Sequence, residues 1–222
     1  MAAGARGRFI TFEGIEGAGK STQLERLLRR FGGRGPEVVV TREPGGTALG
    51  ERLRGLLLDP SIGTMAAETE LLLIFAARAE HLRRCIEPAL ARGAWVFCDR
   101  FTDASFAYQG AGRGLGPNKV EVLENWLQGD LRPDLVLVFD VPARLGLERA
   151  LTRGKRDRME TEDVAFFERA RAAYLERARG QPHRYRVLDG SLDEDSVAAA
   201  VDAAWTNWLD ETDRGAVPGN DV

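Results

Sequence analysis

Gly14-Ile15-Glu16-Gly17-Ala18-Gly19-Lys20-Ser21 fits the pattern G-x-x-x-x-G-K-[ST]. It lies between an apolar strand pattern, Phe9-Ile10-Thr11-Phe12, and a helix pattern in which Leu24, Leu27, Leu28 and Phe31 fall at i, i+3, i+4 and i+7. A chain with this arrangement must run a strand into a tight glycine turn and leave it as a helix. The glycines let successive N–H groups point at phosphate oxygens, and the helix N-terminus adds partial positive charge. Lys20 is placed to reach the outer phosphates, Ser21 to ligate Mg²⁺, and the run Gly14 to Thr22 to hold a nucleoside triphosphate.

Stretches rich in Val, Ile and Phe recur at Arg8–Glu13, Glu37–Thr41, Trp95–Cys98, Leu135–Asp140 and Arg184–Leu188, with helical patterns between them. Near-continuous apolar strands such as Leu135 to Phe139 suit a sheet covered on both faces. The expected fold is α/β, a three-layer doubly wound parallel five-stranded sheet, with ligand groups at the carboxyl ends of the strands. One domain over residues 1–210 is expected, because no repeat or composition break divides the chain. The Gly-, Pro-, Asn- and Asp-bearing tail, 211–222, reads as disordered.

Composition narrows the functional classes. With 31 Lys+Arg against 34 Asp+Glu the formal charge is -3, which removes the broad electrostatic case for a nucleic-acid or anionic-membrane partner. No apolar stretch approaches the ~20 residues of a membrane span, and Met1 to Arg8 has no apolar signal core, so the expected location is cytoplasmic. Cys85 and Cys98 lack metal-ligand or disulfide-scaffold spacing and read as buried small residues. His81 and His183 belong to no catalytic motif and read as structural or surface residues.

Two strand patterns end in aspartate, at Asp99 and Asp140. Either suits a magnesium shell, but Asp99 is followed at once by Arg100, whose guanidinium can grip a phosphate bidentately beside it. Asp99 is therefore the preferred metal-organising residue.

Several ordered motifs now accumulate: Phe12 to Thr22, Thr41-Arg42-Glu43-Pro44-Gly45-Gly46-Thr47, Phe75-Ala76-Ala77-Arg78, Asp99-Arg100 followed by Ala107-Tyr108-Gln109-Gly110, and Arg153-Gly154-Lys155-Arg156-Asp157-Arg158. Over roughly residues 8 to 209 the chain resembles the bacterial thymidylate kinases, which phosphorylate dTMP with ATP. The resemblance implies that Glu16 approaches the deoxyribose 3′-hydroxyl, Arg100 grips the acceptor phosphate and Asp99 helps organise Mg²⁺. It implies that Arg78 donates to a thymine carbonyl, with Ser105 near the imide edge. Tyr108 would lie under the sugar and disfavour a ribose 2′-hydroxyl, with Gln109 beside it near the base. Pro44 is expected to wall the same pocket. Family members often carry a phenylalanine four residues before the base-reading arginine; here that position is Ile74 and the phenylalanine is Phe75, about 100° round a helix. Either residue is a candidate to face thymine. A homodimer packed through helices is also implied.

The basic run 153–158 matches the family's lid, expected at about 153–160. Relatives with an arginine in the phosphate loop carry it where this chain has Gly17; those without it supply lid arginines, so Arg153 and Arg158 become the expected transition-state cations. Phosphoryl transfer spreads charge over the equatorial oxygens, which Lys20, Arg100 and lid arginines can stabilise without a protein nucleophile. Three rivals use the same loop: a nucleotide switch, a kinase for an uncharged acceptor, and a partner-driven ATPase. Asn118-Lys119-Val120-Glu121 superficially fits the switch, but it opens the helical pattern Val120, Leu123, Trp126 and Leu127. Arg100 argues against an uncharged acceptor, and the compact length argues against the partner-driven machine.

Overall fold

The structure is a computed structural model that describes residues 6–31, 35–152 and 157–215. Among these residues, β1 (Phe9–Glu13), β2 (Val38–Arg42), β3 (Trp95–Asp99), β4 (Leu135–Asp140) and β5 (Tyr185–Asp189) form one parallel sheet in the order β2-β3-β1-β4-β5. The expected doubly wound α/β architecture is the observed one. Burial explains the order: β1 is buried along its whole length and β4 over all but its last residue, as central strands require, whereas β2 and β5 expose alternate residues at the edges. The connection from β3 to β4 crosses β1, so the carboxyl end of β1 opens at the crevice where such sheets bind ligands.

Alternation along the central strands supplies two cores. Ile10, Phe12 and Phe97 face α1 (Lys20–Phe31) and α9 (Glu194–Gly215), with Trp205 lying 5.7 Å from Phe97 and 5.6 Å from Trp95 between ring centroids. Phe9, Val96 and Cys98 face the other way, against the π-helical segment Leu82–Ile86 that continues α3 (Ala67–His81) and against α4 (Glu87–Ala91). Leu82 and Ile86 take the core positions four apart. Cys98 is fully buried as expected, but Cys85 lies between those core positions and is only half-buried, a correction to the sequence reading.

Three further elements frame the site. They are α2 (Ala48–Leu58), capped by Thr47 Oγ1 accepting from Gly50 N, the short α5 (Thr102–Ser105) running into the π-helical segment Phe106–Gly112, and α8 (Val164–Gly180), capped by Asp163. The segment 118–121 lies within α6 (Pro117–Gln128), a helix start as read from the pattern. Within that pattern Val120 is buried, but Trp126 is 76% exposed, because α6 turns only its Val120 side to the core. The expected disorder from residue 211 is corrected in part: α9 continues to Gly215, tied by an Arg186–Glu211 ion pair and by Thr212 Oγ1 donating to Leu209 O. Residues 216–222 lie outside the described residues.

Candidate active site

One cavity of about 300 Å³ lies at the carboxyl end of the sheet. It is lined by Glu16 to Thr22 of the phosphate loop, by Arg42 at the end of β2 with Glu43 and Pro44 after it, by Arg54 and Leu57 of α2, by Glu70, Ile74 and Arg78 of α3, by Asp99 and Arg100, by Ser105, Tyr108 and Gln109, and by Asp157 to Glu160. Residues singled out from separate motifs therefore meet on one surface. Gly14 and Ile15 stand outside that lining; the Ile15 side chain is buried in the core, and the Ile15 and Gly14 carbonyls accept from Lys20 Nζ at 2.9 and 3.0 Å.

The loop's shape depends on Gly17. Its φ is +70°, and a Cβ there would stand 1.9 Å from the carbonyl oxygen of Gly146 in α7 (Ala143–Leu151). No side chain fits without moving α7, so a loop arginine at this position is sterically closed to this chain. Lys20 is buried, and desolvation together with the nearby Arg100 charge lowers its pKa to about 8.

Ser21 Oγ donates to Asp99 Oδ2 at 3.0 Å, while Asp99 Oδ1 is buried with no hydrogen-bond partner among the described residues. A hydroxyl beside an orphaned carboxylate oxygen is a hard oxygen donor set of the kind Mg²⁺ takes. The other strand-end aspartate, Asp140, is paired to Arg171 at 2.6 and 3.0 Å and lies away from the cavity lining, in keeping with the preference for Asp99.

Arg100 is held from several sides before any substrate arrives. Its Nη2 meets Glu16 Oε1 at 2.7 Å, its Nη1 donates to Gly14 O at 2.7 Å, and its guanidinium lies 5.0 Å from the Tyr108 ring centroid. Its backbone adopts φ +67°, the left-handed region that a non-glycine residue enters at a cost of about 1–2 kcal/mol. Beneath it, Glu13 Oε1 accepts from Phe101 N at 2.6 Å, which pins the turn. Burial, with Asp103 adding, raises the Glu13 carboxyl to about 8.

At the other end of the cavity Arg78 is almost wholly buried, with Nε donating to Glu43 Oε2 at 2.7 Å and Nη2 to Ser105 Oγ at 2.9 Å. Its Nη1 is buried without a partner among the described residues. Ile74 lines the cavity, whereas Phe75 does not: it is 2% exposed, packs with Leu71, Phe106 and Val120, and lies 4.4 Å beneath the Arg78 guanidinium. Phe75 is thus removed from the candidate substrate residues, because one residue of helical rotation turns it into the core. Gln109 lines the cavity and donates to Glu70 Oε1 at 2.8 Å.

The lid differs from expectation. Arg153 lies outside the described residues. Arg158 is 5% exposed and docked: Nε donates to Leu57 O at 2.8 Å and Nη2 to Glu70 Oε2 at 2.6 Å. Glu70 is fully buried on α3 and also receives Arg113 at 3.1 Å. Burial works to raise the Glu70 pKa, but Arg113, Gln109 and Arg158 outweigh it and hold the carboxylate below its usual range. A buried carboxylate demands cations, and this demand draws Arg158 onto α3 instead of leaving it unpaired in the lid.

Sequence reasoning missed Arg42, Arg54, Glu43 and Glu70. Arg42 and Glu43 stood inside a quoted motif, where an arginine beside a glycine turn was a signal; Arg54 and Glu70 sit on helices, where a charge reads as solvated surface.

The model of the family described as thymidylate kinase matches residues 12–201. A thymidylate kinase from Pseudomonas putida is 59% identical over 197 residues, which is 89% of this chain and 94% of that protein. One from Ectopseudomonas mendocina is 57% identical over 204 residues, covering 92% and 97%. The crystal structure of thymidylate kinase from Ehrlichia chaffeensis superposes with a TM-score of 0.72 at 34% identity, covering 90% of this chain and 99% of that one.

Proposed function

This chain belongs to the thymidylate kinase family, whose members transfer the γ-phosphate of ATP to dTMP to give ADP and dTDP, and from that premise we propose how its residues divide the work. Gly14 to Thr22 hold the ATP phosphates, with Lys20 at the outer ones. Arg100 takes the acceptor phosphate, exchanging part of its contact with Glu16, which turns to the 3′-hydroxyl of the sugar. Tyr108 bounds the sugar; Pro44 and Ile74 give the base apolar walls; Arg78, with Ser105 and Gln109, reads its polar edge. The observation that carries this assignment is a single cavity whose two ends each present a buried, unpartnered polar atom, Asp99 Oδ1 and Arg78 Nη1.

Ser21 and Asp99 are the residues that would hold Mg²⁺, which when bound neutralises phosphate charge. The acceptor phosphate oxygen attacks the γ-phosphorus in line and the bond to the ADP oxygen breaks, so the chain supplies position and charge and no nucleophile. Lys20 and Arg100 stabilise the charge spread over the equatorial oxygens. Arg158, seated on Glu70, anchors the lid so that Asp157 to Glu160 close the cavity to water; the transition-state contribution of a lid arginine then falls to Arg153.

The reading includes one P-loop domain over residues 1–210, which a core cluster running from β1 to α9 supports. It includes a cytoplasmic location and no nucleic-acid partner; among the described residues no helix is long and apolar enough to cross a membrane. It also includes a homodimer. Trp126 and Val122 on α6 and Leu72 on α3 are 76%, 68% and 58% exposed, and the two helices are joined by a Lys119–Glu68 ion pair at 3.3 Å, an apolar face suited to a second copy. The division of labour is tested by calorimetric titration of Arg78→Ala with dTMP and ATP separately. We expect dTMP affinity to fall about tenfold or more and ATP affinity to hold within about threefold. Unchanged dTMP affinity would remove Arg78 from the base site.

A further inference from the structure

Glu43 stands between Arg42 and Pro44 on the wall of the cavity. Its side chain turns inward behind the acceptor wall, where it is 3% exposed. There it joins two buried bases: Oε2 accepts from Arg78 Nε at 2.7 Å, and Oε1 lies 2.9 Å from His81 Nδ1. The other ring nitrogen of His81, Nε2, lies 2.6 Å from Thr41 Oγ1 on β2. The packing is close, since a Cβ on Gly46 would stand 2.4 Å from His81 Nε2. Burial works against charge on His81, yet hydrogen bonds with Cys85 and Glu43 raise its pKa to about 9, so at neutral pH the ring donates from both nitrogens. Burial likewise works to raise the Glu43 carboxyl, and Arg78 and His81 outweigh it and hold it ionised.

A guanidinium is planar, so fixing Nε and Nη2 fixes the direction of Nη1. In Arg78, Nε is taken by Glu43 and Nη2 by Ser105 Oγ and Phe101 O, while the rings of Phe75 and Phe101 lie 4.4 and 5.2 Å away. Among the described residues Nη1 is buried without a partner. We propose that Glu43, braced by His81, is a positioning residue for acceptor selection: it presents Arg78 Nη1 as a single fixed donor to the carbonyl edge of the acceptor base. The inference rests on the reading that Arg78 faces the base. A fixed donor rewards a carbonyl and rejects an exocyclic amino group, so Glu43 acts on the choice between dTMP and dCMP through Arg78.

The experiment is a double-mutant cycle on initial rates of ADP formation with dTMP and with dCMP. Glu43→Gln keeps the shape and removes the charge. It is expected to raise the dTMP KM about tenfold, to leave kcat at saturating dTMP and the ATP KM within about twofold, and to narrow the preference for dTMP over dCMP. In an Arg78→Ala background the same substitution is expected to change nothing further. An equal rise in dTMP KM in both backgrounds, or equal rises for ATP and dTMP, would overturn the proposal. If Arg78→Ala alone leaves the dTMP KM unchanged, the base-site reading fails first, a result distinct from failure of Glu43. Glu43→Asp, which keeps the charge and shortens the reach to Arg78, carries the same cycle where Glu43→Gln does not fold, and its matching wild type in dTMP KM and selectivity would count against it.

Discussion

Glu16 and Arg100 form the contact on which the acceptor site turns. In the free protein the carboxylate and guanidinium satisfy each other at 2.7 Å, and Tyr108 OH donates to the same Glu16 oxygen at 3.3 Å. On the proposed division of labour, substrate binding exchanges these contacts for the sugar hydroxyl and the acceptor phosphate, so removing Glu16 would both delete a sugar contact and loosen Arg100. Glu16→Ala is expected to raise the dTMP KM about tenfold or more with the ATP KM changed less than about threefold. Equal weakening of both substrates in steady-state kinetics would place Glu16 on the ATP side. At this scale the sequence was informative wherever a residue sat in an ordered motif, because the phosphate loop and Asp99-Arg100 carry their chemistry in their spacing. It was ambiguous for Ile74 against Phe75, since only the helix's rotation against its neighbours decides which one reaches the cavity.

Among the elements, α3 carries the most. One face brings Glu70, Ile74 and Arg78 to the cavity while Phe75 and Leu71 enter the core. The lid docks on the same helix through Arg158 and Glu70, and Arg113 bridges Glu70 to Glu162 at 3.1 and 2.5 Å. Removing Glu70 leaves two guanidiniums without their buried partner and Gln109 without its acceptor. Glu70→Ala is therefore expected to destabilise the fold by about 3 kcal/mol, read as a lowered urea midpoint, whereas Arg158→Ala, which leaves Glu70 paired to Arg113, costs less. A Glu70→Ala midpoint equal to that of wild type would contradict the anchoring of the lid on α3. The strands and most helices were legible from period and apolar content, which are local properties. The docked lid was not, because a run of four cations looks the same whether it meets water or a carboxylate 88 residues away.

In the whole molecule, the strand order gathers the site. The chain places β1 at the centre with β3 and β4 beside it, so the phosphate loop after β1 and Asp99-Arg100 after β3 emerge side by side, with Glu43 N hydrogen-bonded to Asp99 O at 3.0 Å. Alternating strand and helix patterns implied a parallel sheet, and right-handed crossovers placed its loops at one end. The exposed Trp126 was read with the helical core pattern, since periodicity alone does not distinguish a face buried within the chain from one available to a second copy. The central claim is that these loops build one site for two nucleotides, with acceptor choice set at the Arg78 end. It is tested most directly by ADP release from ATP and Mg²⁺ with dTMP, dUMP, dCMP, dGMP, AMP, UMP or thymidine as sole acceptor, each against a no-acceptor control. The account predicts stimulation chiefly by dTMP and little release without acceptor. Release independent of acceptor, or stimulation by thymidine in preference to dTMP, would contradict it.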